Sequence, residues 1–554
     1  MGSQGLYHSL TVLLLNLGAA SSLDHSRGTA PIVKTLNGTY QGAYLPDWKQ
    51  DAFLGIPYAQ SPVGHLRYRL PQAINESFDG VRKATEYGFS CMQYGQNFTL
   101  SEDCLTVNVV RPAGAPSDAL PVLVWIYGGG LYAGSTADQR YNLSGIVKVS
   151  QDIEQPIVAV SMNYRLGMYG FLQTPQLLAE GSSNAGLLDQ RLALHWIQEN
   201  IEAFGGDPAK VVLWGESAGA QSIAYHLFAY DGRDDGLFRA AILESGGPTG
   251  AQVESLSWYN SAVENLTRTV GCWNVAAADQ LACLRAVDEA TLFAAHPSVV
   301  WNPLLDGNFL TAYPSQLMPR GKFVKVPLLL GANTDEGFVV SETAETDDDI
   351  LNAMLSWRSY ALTPPTVRRL LELYPDDPCY APPYAITNCT RRPARGSMWR
   401  RAAAIGTDLI MVSQRRRMAE LYTQAGMPVY SYRFDQRPWN AEEWDGVKHF
   451  LNVAYSFQNI SGELGPSPEY DSHARLAKAI GQAYIGFVNH LNPNKVPWDS
   501  RRDAVPLPQW PVYDMGKPRI MVFNATGPWI EEDTWRQEGI AFIMTPEVQK
   551  ELLS

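Results

Sequence analysis

The pentapeptide G-E-S-A-G at residues 215–219 places one serine, Ser217, between two glycines. The apolar run KVVLWG (210–215) leads into it, and SAGAQSIAYHLF (217–228) has the composition of a helix. G-x-S-x-G between a strand and a helix is the nucleophile elbow, a sharp turn that exposes the serine hydroxyl. To attack a carbonyl, that hydroxyl needs a base, a group that orients the base, and donors for the oxyanion.

Backbone donors for an oxyanion are predicted in WIYGGGLYAG (125–134), which follows an apolar strand. Consecutive glycines leave amide groups that no side chain crowds. Gly129 and Gly130, together with the amide of Ala218 at the helix start, are predicted to bind one oxyanion. A nucleotide-binding loop is disfavoured, because the run has neither the G-x-G-x-x-G register nor a Walker lysine.

Candidates for the acid lie in KVPLLLGANTDEGFVV (325–340), where Asp335 and Glu336 directly follow an apolar strand. The loop past the carboxyl end of a strand is where the acid of such a triad belongs. Spacing alone does not separate these two carboxylates, so both remain candidates at this point.

The base must be a histidine, and in the order serine, acid, histidine it comes last. The histidines beyond residue 336 are His449, His473 and His490. His473 and His490 stand at the two ends of a predicted helix, where histidine commonly serves as a cap. His449 lies in a loop after the apolar run 428–434, so it is the predicted base.

The elements that must position these residues are apolar runs of strand length alternating with helical stretches such as 184–201. Runs that are continuously apolar predict strands buried on both faces, hence a mostly parallel sheet with helices on either side. The predicted strands are 120–127, 156–164, 210–215, 239–246, 325–331 and 428–434. The helix-rich region of about 340–425 is interpreted as an insertion packed over the sheet of a single domain.

Composition excludes several functions. A formal net charge of −13 argues against nucleic-acid binding, which needs a basic surface. The cysteines show no C-x-x-C spacing and no histidine cluster accompanies them, so no metal site and no cofactor is predicted. The run Arg415–Arg417 is expected on a solvated surface. The acidic balance suggests a soluble monomer or dimer.

The N-terminus and the modification motifs point to secretion. Residues 10–17 are mostly apolar and small residues follow, as in a signal peptide (1–20) cleaved near Ala20 or Ser22. That run is shorter than a bilayer span, so no stable membrane anchor is expected. Six cysteines in a chain that is predicted to be exported indicate disulfides. Eight N-x-S/T sequons predict a glycoprotein, at Asn37, Asn75, Asn97, Asn142, Asn265, Asn388, Asn459 and Asn524.

From about residue 30 to its end, the chain resembles the type-B carboxylesterases, a family that includes fungal lipases and cholinesterases, and it looks like a secreted fungal member. The segment FGGDPAKVVLWGESAG (204–219) fits the family's serine signature throughout. EDCLTVNVVRP (102–112) fits its second signature, and NYRLGMYGF (163–171) also matches. The resemblance implies an α/β-hydrolase fold over residues 21–554 and the hydrolysis of small-molecule carboxylic esters.

The resemblance also assigns roles to individual residues. It settles the acid as Glu336, with Ser217 as nucleophile, His449 as base, and the three amides named above as the oxyanion hole. It pairs Cys91 with Cys104 and Cys272 with Cys283, whereas the pair Cys379–Cys389 is inferred from proximity in the sequence.

Two departures from the family pattern bear on the substrate. Tyr127 precedes the glycine triplet, where histidine or phenylalanine is common in the family. The loop between Cys91 and Cys104 holds only MQYGQNFTLSED, which has no tryptophan for choline and too little chain for a lipase lid. A secreted carboxylesterase is therefore expected. The alternatives are a lipase on longer-chain glycerides, a specialised esterase for a secondary metabolite, and a binding module without activity.

Overall fold

The computed structural model describes residues 30–114, 119–249, 252–339, 343–356, 362–382, 389–391, 393–439, 441–460, 470–497 and 504–553. The predicted signal peptide (1–20) and the sequon at Asn388 lie outside the described residues. The strands are β1 (Ile32–Thr35), β2 (Gly38–Gln41), β3 (Ala43–Leu45), β4 (Gln50–Pro57), β5 (Val81–Lys83), β6 (Thr106–Pro112), β7 (Leu120–Ile126), β8 (Val158–Met162), β9 (Gly206–Glu216), β10 (Ala240–Glu244), β11 (Leu328–Asn333), β12 (Val429–Phe434), β13 (Arg519–Phe523) and β14 (Trp529–Glu532).

The helices surround a central sheet. They are α1 (Ser144–Asp152), α2 (Gly167–Phe171), α3 (Pro175–Ala179), α4 (Ala185–Asn200), α5 (Ala218–Phe228), α6 (Leu256–Thr269), α7 (Gln280–Ala286), α8 (Glu289–Ala294), α9 (Pro314–Leu317), α10 (Asp347–Ser356), α11 (Pro364–Leu373), α12 (Trp399–Thr407), α13 (Ser413–Gln424), α14 (Val453–Ser456), α15 (Asp471–His490), α16 (Gln537–Ile543) and α17 (Pro546–Glu551). A π-helical turn, Asp408–Val412, joins α12 to α13.

Most of the described strands form one sheet, in the order β14-β13-β12-β11-β10-β9-β7-β8-β6-β4-β3. The pairings from β8 through β13 are parallel, and antiparallel strands extend the sheet at both edges. Every residue of β7, β8, β10 and β11 is buried, as expected for strands covered by helices on both faces. The prediction of a mostly parallel sheet flanked by helices is confirmed.

The region of about 340–425 is helical in its described parts, with α10 to α13 following the strand β11. Its first three helices bury a small apolar cluster around Ile350, Leu370 and Ile405, which is separate from the main core. The fourth helix, α13, packs against β11 and β12. That the region is an insertion within one domain stays a prediction.

The expectation that Arg415–Arg417 lies on a solvated surface is wrong for two of its residues. Arg415 and Arg416 are buried, with 5% and 4% of their surfaces exposed. Both guanidinium groups bind the carboxylate of Asp533, at 2.6 Å and 3.0 Å respectively. Charges can be buried when they are paired and hydrogen-bonded, and the partner here lies more than a hundred residues further along the chain.

The three predicted disulfides are present: Cys91–Cys104, Cys272–Cys283 and Cys379–Cys389. Among the described sequons, Asn75, Asn97 and Asn265 are exposed, whereas Asn37, Asn142, Asn459 and Asn524 are partly exposed. No helix in the described part of the chain has the length and apolar character needed to cross a bilayer. Within the same residues, no group of three or more metal-ligating side chains is assembled.

Candidate active site

Ser217 lies in a sharp turn between β9 and α5, with φ +56° and ψ −124°. Residues with side chains rarely adopt such a conformation, and it is characteristic of active sites. Two glycines let the turn close. A Cβ atom at Gly219 would collide with the carbonyl oxygen of Ile126, and one at Gly215 would crowd the backbone of Gly219. The strand, turn and helix expected around Ser217 are therefore all present.

The structure brings Ser217, Glu336 and His449 together, although they are separated by more than a hundred residues in sequence. The Nε2 atom of His449 lies 2.8 Å from Ser217 Oγ, and its Nδ1 atom lies 2.6 Å from Glu336 Oε2. Because a carboxylate oxygen accepts hydrogen bonds, Nδ1 carries the ring proton of a neutral imidazole. Nε2 then accepts the hydrogen bond that the Ser217 hydroxyl donates.

Asp335, the competing acid, bonds to the backbone of the loop that carries His449. Its Oδ2 atom accepts a hydrogen bond from the Val447 amide at 2.6 Å, and its own amide donates to the Val447 carbonyl at 3.0 Å. Asn333 donates a further bond from its Nδ2 atom to the carbonyl of Lys448 at 2.8 Å. These three bonds fasten the loop that carries His449 to the carboxyl end of β11.

The other two late histidines lie elsewhere, at the two ends of α15. The Nδ1 atom of His473 lies 2.7 Å from the Tyr455 hydroxyl, and the Nε2 atom of His490 lies 3.1 Å from the Gln155 side chain. Both rings therefore have their own partners away from Ser217.

The glycine triplet lies beside the serine. Gly129 and Gly130 have φ values of +101° and +64°, a region that favours glycine, and a Cβ atom at Gly129 would collide with the Ala133 carbonyl. In the described part of the chain, no residue accepts a hydrogen bond from the amides of Gly129, Gly130 or Ala218. Three backbone donors close to Ser217 are therefore open to a ligand.

These groups share one cavity of about 330 Å³. It lies at the carboxyl ends of β7, β9 and β11, where ligands bind in open α/β sheets. Its lining comprises Gln96, Phe98, Gly128, Gly129, Gly130, Tyr132, Ala133, Gly134, Asp138, Arg140, Tyr141, Glu216, Ser217, Ala218, Gln221, Gly246, Gly247, Glu336, Ile410, Met411, Gln414, His449 and Phe450.

Two buried glutamates under the serine were missed by the sequence analysis. The Oε1 atom of Glu216 lies 3.2 Å from His449 Nε2. Burial, reinforced by the nearby carboxylates of Glu336 and Glu244, raises the pKa of Glu216 to about 8 against the opposing effect of His449. Burial also raises the pKa of Glu244 to about 7, although the Tyr484 hydroxyl donates to its Oε1 atom at 2.6 Å.

A signal for both glutamates was present in the sequence. Each ends a run of apolar strand residues, KVVLWGE (210–216) and AAILE (240–244). A charged residue that continues a strand buried on both faces must itself be buried. The paired register places Glu216 opposite Glu244 on neighbouring parallel strands. Burial therefore favours the neutral form of both carboxyl groups, and of Glu216 more strongly because other carboxylates lie near it.

Residues 29–537 match the family model described as "Carboxylesterase family". The chain is 33% identical to Lipase 1 of Geotrichum candidum, over 95% of this chain and 97% of that protein. It is 32% identical to Secreted lipase 1 of Botryotinia fuckeliana, over 89% of each.

Two solved structures are similar over almost their whole length. The crystal structure of Aspergillus niger EstA has a TM-score of 0.81 and 29% identity, over 95% of this chain and 99% of that one. A structure described as PNB esterase has a TM-score of 0.74 and 29% identity, over 92% and 100%. With its matching fold and with the family model spanning most of the sequence, the chain belongs to the carboxylesterase family and is a carboxylic ester hydrolase of the α/β-hydrolase fold.

Proposed function

We propose that the chain hydrolyses carboxylic esters through an acyl-enzyme formed on Ser217. The single observation that carries this proposal is the His449 ring, which bonds to Ser217 through one nitrogen and to Glu336 through the other. His449 takes the hydroxyl proton as Ser217 Oγ attacks the ester carbonyl. Glu336 holds the ring in the tautomer that can accept this proton and stabilises the imidazolium that results.

The open amides of Gly129, Gly130 and Ala218 support an oxyanion hole for the tetrahedral intermediate. Each such donor contributes about 3 kcal/mol to transition-state stabilisation in well-studied serine hydrolases. The imidazolium then gives its proton to the leaving alcohol, whose bond to the acyl carbon breaks. Water, deprotonated by the same ring, attacks the acyl-enzyme and releases the carboxylic acid and free Ser217.

Secretion is part of the proposal. Three disulfides favour an oxidising compartment. The partly or fully exposed sequons and the apolar N-terminal run are consistent with passage through the secretory pathway. The relative named Secreted lipase 1 is similar over most of its length.

Within ester hydrolysis, the Cys91–Cys104 loop favours a carboxylesterase without a mobile lid. The disulfide closes a segment of only 13 residues in sequence separation. The side chain of Gln93 exchanges two hydrogen bonds with the backbone of Gly134, at 2.8 and 2.9 Å, and the Tyr94 hydroxyl donates to the Phe293 carbonyl at 2.9 Å. A loop tied down at these points is a fixed wall beside the cavity.

A lipase acting on longer-chain glycerides is the second candidate, because the similar curated proteins named above carry the name lipase. Rates on p-nitrophenyl esters from acetate to palmitate, measured below and above the solubility limit of each, separate the two. We expect kcat/KM to be highest for short chains and to show no jump when the substrate forms an interface. A maximum at long chains with such a jump would establish the lipase instead.

A further inference from the structure

The residue after His449 has an unusual backbone. Phe450 has φ +80°, and the amide of Leu451 donates to the carbonyl of Lys448 at 3.4 Å. Residues 448–451 thus form a turn with His449 and Phe450 at its two central positions. A φ near +80° at the third position is that of a type II turn, in which glycine is strongly preferred. A phenylalanine there is strained.

The side chain of this strained residue lines the reaction cavity. Phe450 is half-buried and lines the same cavity as Ser217. The Arg140 guanidinium lies over its ring, 4.8 Å from the centroid, and the Tyr141 ring meets it edge-on at 6.2 Å. Asp138 fixes that guanidinium, because it accepts bonds from Nε at 2.9 Å and from Nη2 at 2.6 Å. These contacts hold the Phe450 ring in one orientation.

The chemistry of the reaction identifies which part of a bound substrate lies against Phe450 and Arg140. His449 Nε2 must deliver its proton to the oxygen of the leaving alcohol, so the alcohol group lies on the His449 side of the cavity. Phe450 follows His449 directly in the chain, and Arg140 packs on Phe450. The acyl group points away from this side, because it departs from the same tetrahedral carbon in another direction.

We propose that Phe450 and Arg140 form the subsite for the leaving alcohol and select esters of aromatic alcohols, an inference that rests on the proposed function. Two rings and a planar guanidinium offer flat surfaces, against which a planar ring packs more closely than a puckered aliphatic one. Among the described residues, none accepts a hydrogen bond from Arg140 Nη1. That atom is therefore open to an acceptor on the aromatic group.

The test compares benzyl butyrate with cyclohexylmethyl butyrate, which share an acyl group and have alcohols of similar size. Butyrate release is followed by pH-stat titration. p-Nitrophenyl butyrate, whose leaving group is itself aromatic, is used on the wild type only, to show that the enzyme preparation is active. We expect the wild type to prefer the benzyl ester in kcat/KM. In Phe450→Leu, the benzyl to cyclohexylmethyl ratio should fall about five- to tenfold, the size of one aromatic contact.

Two results would overturn this inference. The benzyl to cyclohexylmethyl ratio could stay the same in Phe450→Leu, including the case in which both rates fall equally, as a merely structural role of the ring predicts. Alternatively, the wild type could show no benzyl preference. In each of these cases hydrolysis of p-nitrophenyl butyrate would leave the proposed function intact. A wild type that hydrolyses none of the three esters would instead refute the proposed function itself.

The backbone strain has its own test, in which two variants remove the ring and differ in the φ values they tolerate. Glycine adopts φ +80° freely and alanine does not. We expect Phe450→Gly to unfold about 1–3 °C above Phe450→Ala, and both variants to lose the benzyl preference. Equal melting temperatures, or a more stable alanine variant, would show that no strain is held at Phe450 and would contradict the inference that the ring is kept for its contact with substrate.

Discussion

In a Glu336→Gln variant, kcat should fall by about three to four orders of magnitude with little change in KM. The amide that replaces the carboxylate cannot accept and orient the His449 Nδ1 proton in the same way. If its NH2 group faces the ring, Nδ1 must become the acceptor and the proton moves to Nε2, where it blocks the attack of Ser217. The amide also removes the negative charge that stabilises the imidazolium. Steady-state kinetics on a soluble short-chain ester measure both effects.

Asp335 provides a matched control, because it is the adjacent carboxylate in the same loop. Asp335→Asn keeps an oxygen that accepts the Val447 amide, which Asp335 Oδ2 now binds at 2.6 Å. We expect this variant to retain kcat within about tenfold of the wild type. Equal losses in the two variants would mean that the loop tolerates no change at either position, and the assignment of Glu336 as the orienting acid would lose its support.

The second large effect concerns stability rather than turnover, and it comes from Glu244. Its pKa rises from 4.5 in the unfolded chain to about 7 in the folded protein. A carboxyl group with a raised folded pKa contributes its full stability below pH 4.5 and loses it as the pH rises through 7. Glu244→Gln removes this loss and keeps an oxygen for the Tyr484 hydroxyl. Its free energy of unfolding relative to wild type should therefore increase by about 2–3 kcal/mol between pH 4 and pH 8.

Chemical denaturation at a series of pH values measures this difference. The control is Glu532→Gln, at an exposed position of the edge strand β14, which should leave the pH profile of stability unchanged. A Glu244→Gln profile parallel to that of the wild type would show that Glu244 ionises in the folded protein as readily as in the unfolded chain.

Local sequence patterns were sufficient to predict the sheet and the elbow. Continuously apolar runs predicted the bounds of β7 to β12 to within a few residues, because strands buried on both faces consist mostly of apolar residues. The antiparallel strands at the edges and β13 were not predicted. β3 and β14, for instance, are short and partly exposed, so they carry no such continuous run. The close Cys379–Cys389 pair was predicted from proximity and is confirmed.

The burial of two arginines and the choice between two candidate acids depend on the same physical cause, which is contact between segments far apart in the chain. Arg415 and Arg416 look like surface charges until Asp533 is brought beside them by the fold. From spacing alone, the choice between Asp335 and Glu336 likewise stayed open, because it depends on contacts with another loop. The structure shows that Asp335 bonds to the Val447 amide and Glu336 to the His449 ring. Spacing along the chain carries no information about such partners.

Phe450 illustrates a different limit of prediction from sequence. A phenylalanine in a loop gives no local signal of a left-handed backbone, because sequence patterns associate that conformation with glycine or asparagine. The turn is imposed by the loop's attachment to β11 through Asn333 and Asp335. Positions where sequence preference and structure disagree are often functional, and here the disagreement lies next to His449, the proposed base.

The central claim is that Ser217 is the nucleophile, and covalent labelling tests it most directly. The enzyme is treated with diethyl p-nitrophenyl phosphate, which phosphorylates activated serines, and the adduct is located by mass spectrometry of the intact protein and its peptides. We expect one phosphoryl group per chain, on Ser217, with esterase activity lost in step with labelling, and neither labelling nor hydrolysis in Ser217→Ala. Labelling at another residue, or hydrolysis that persists in Ser217→Ala, would contradict the account.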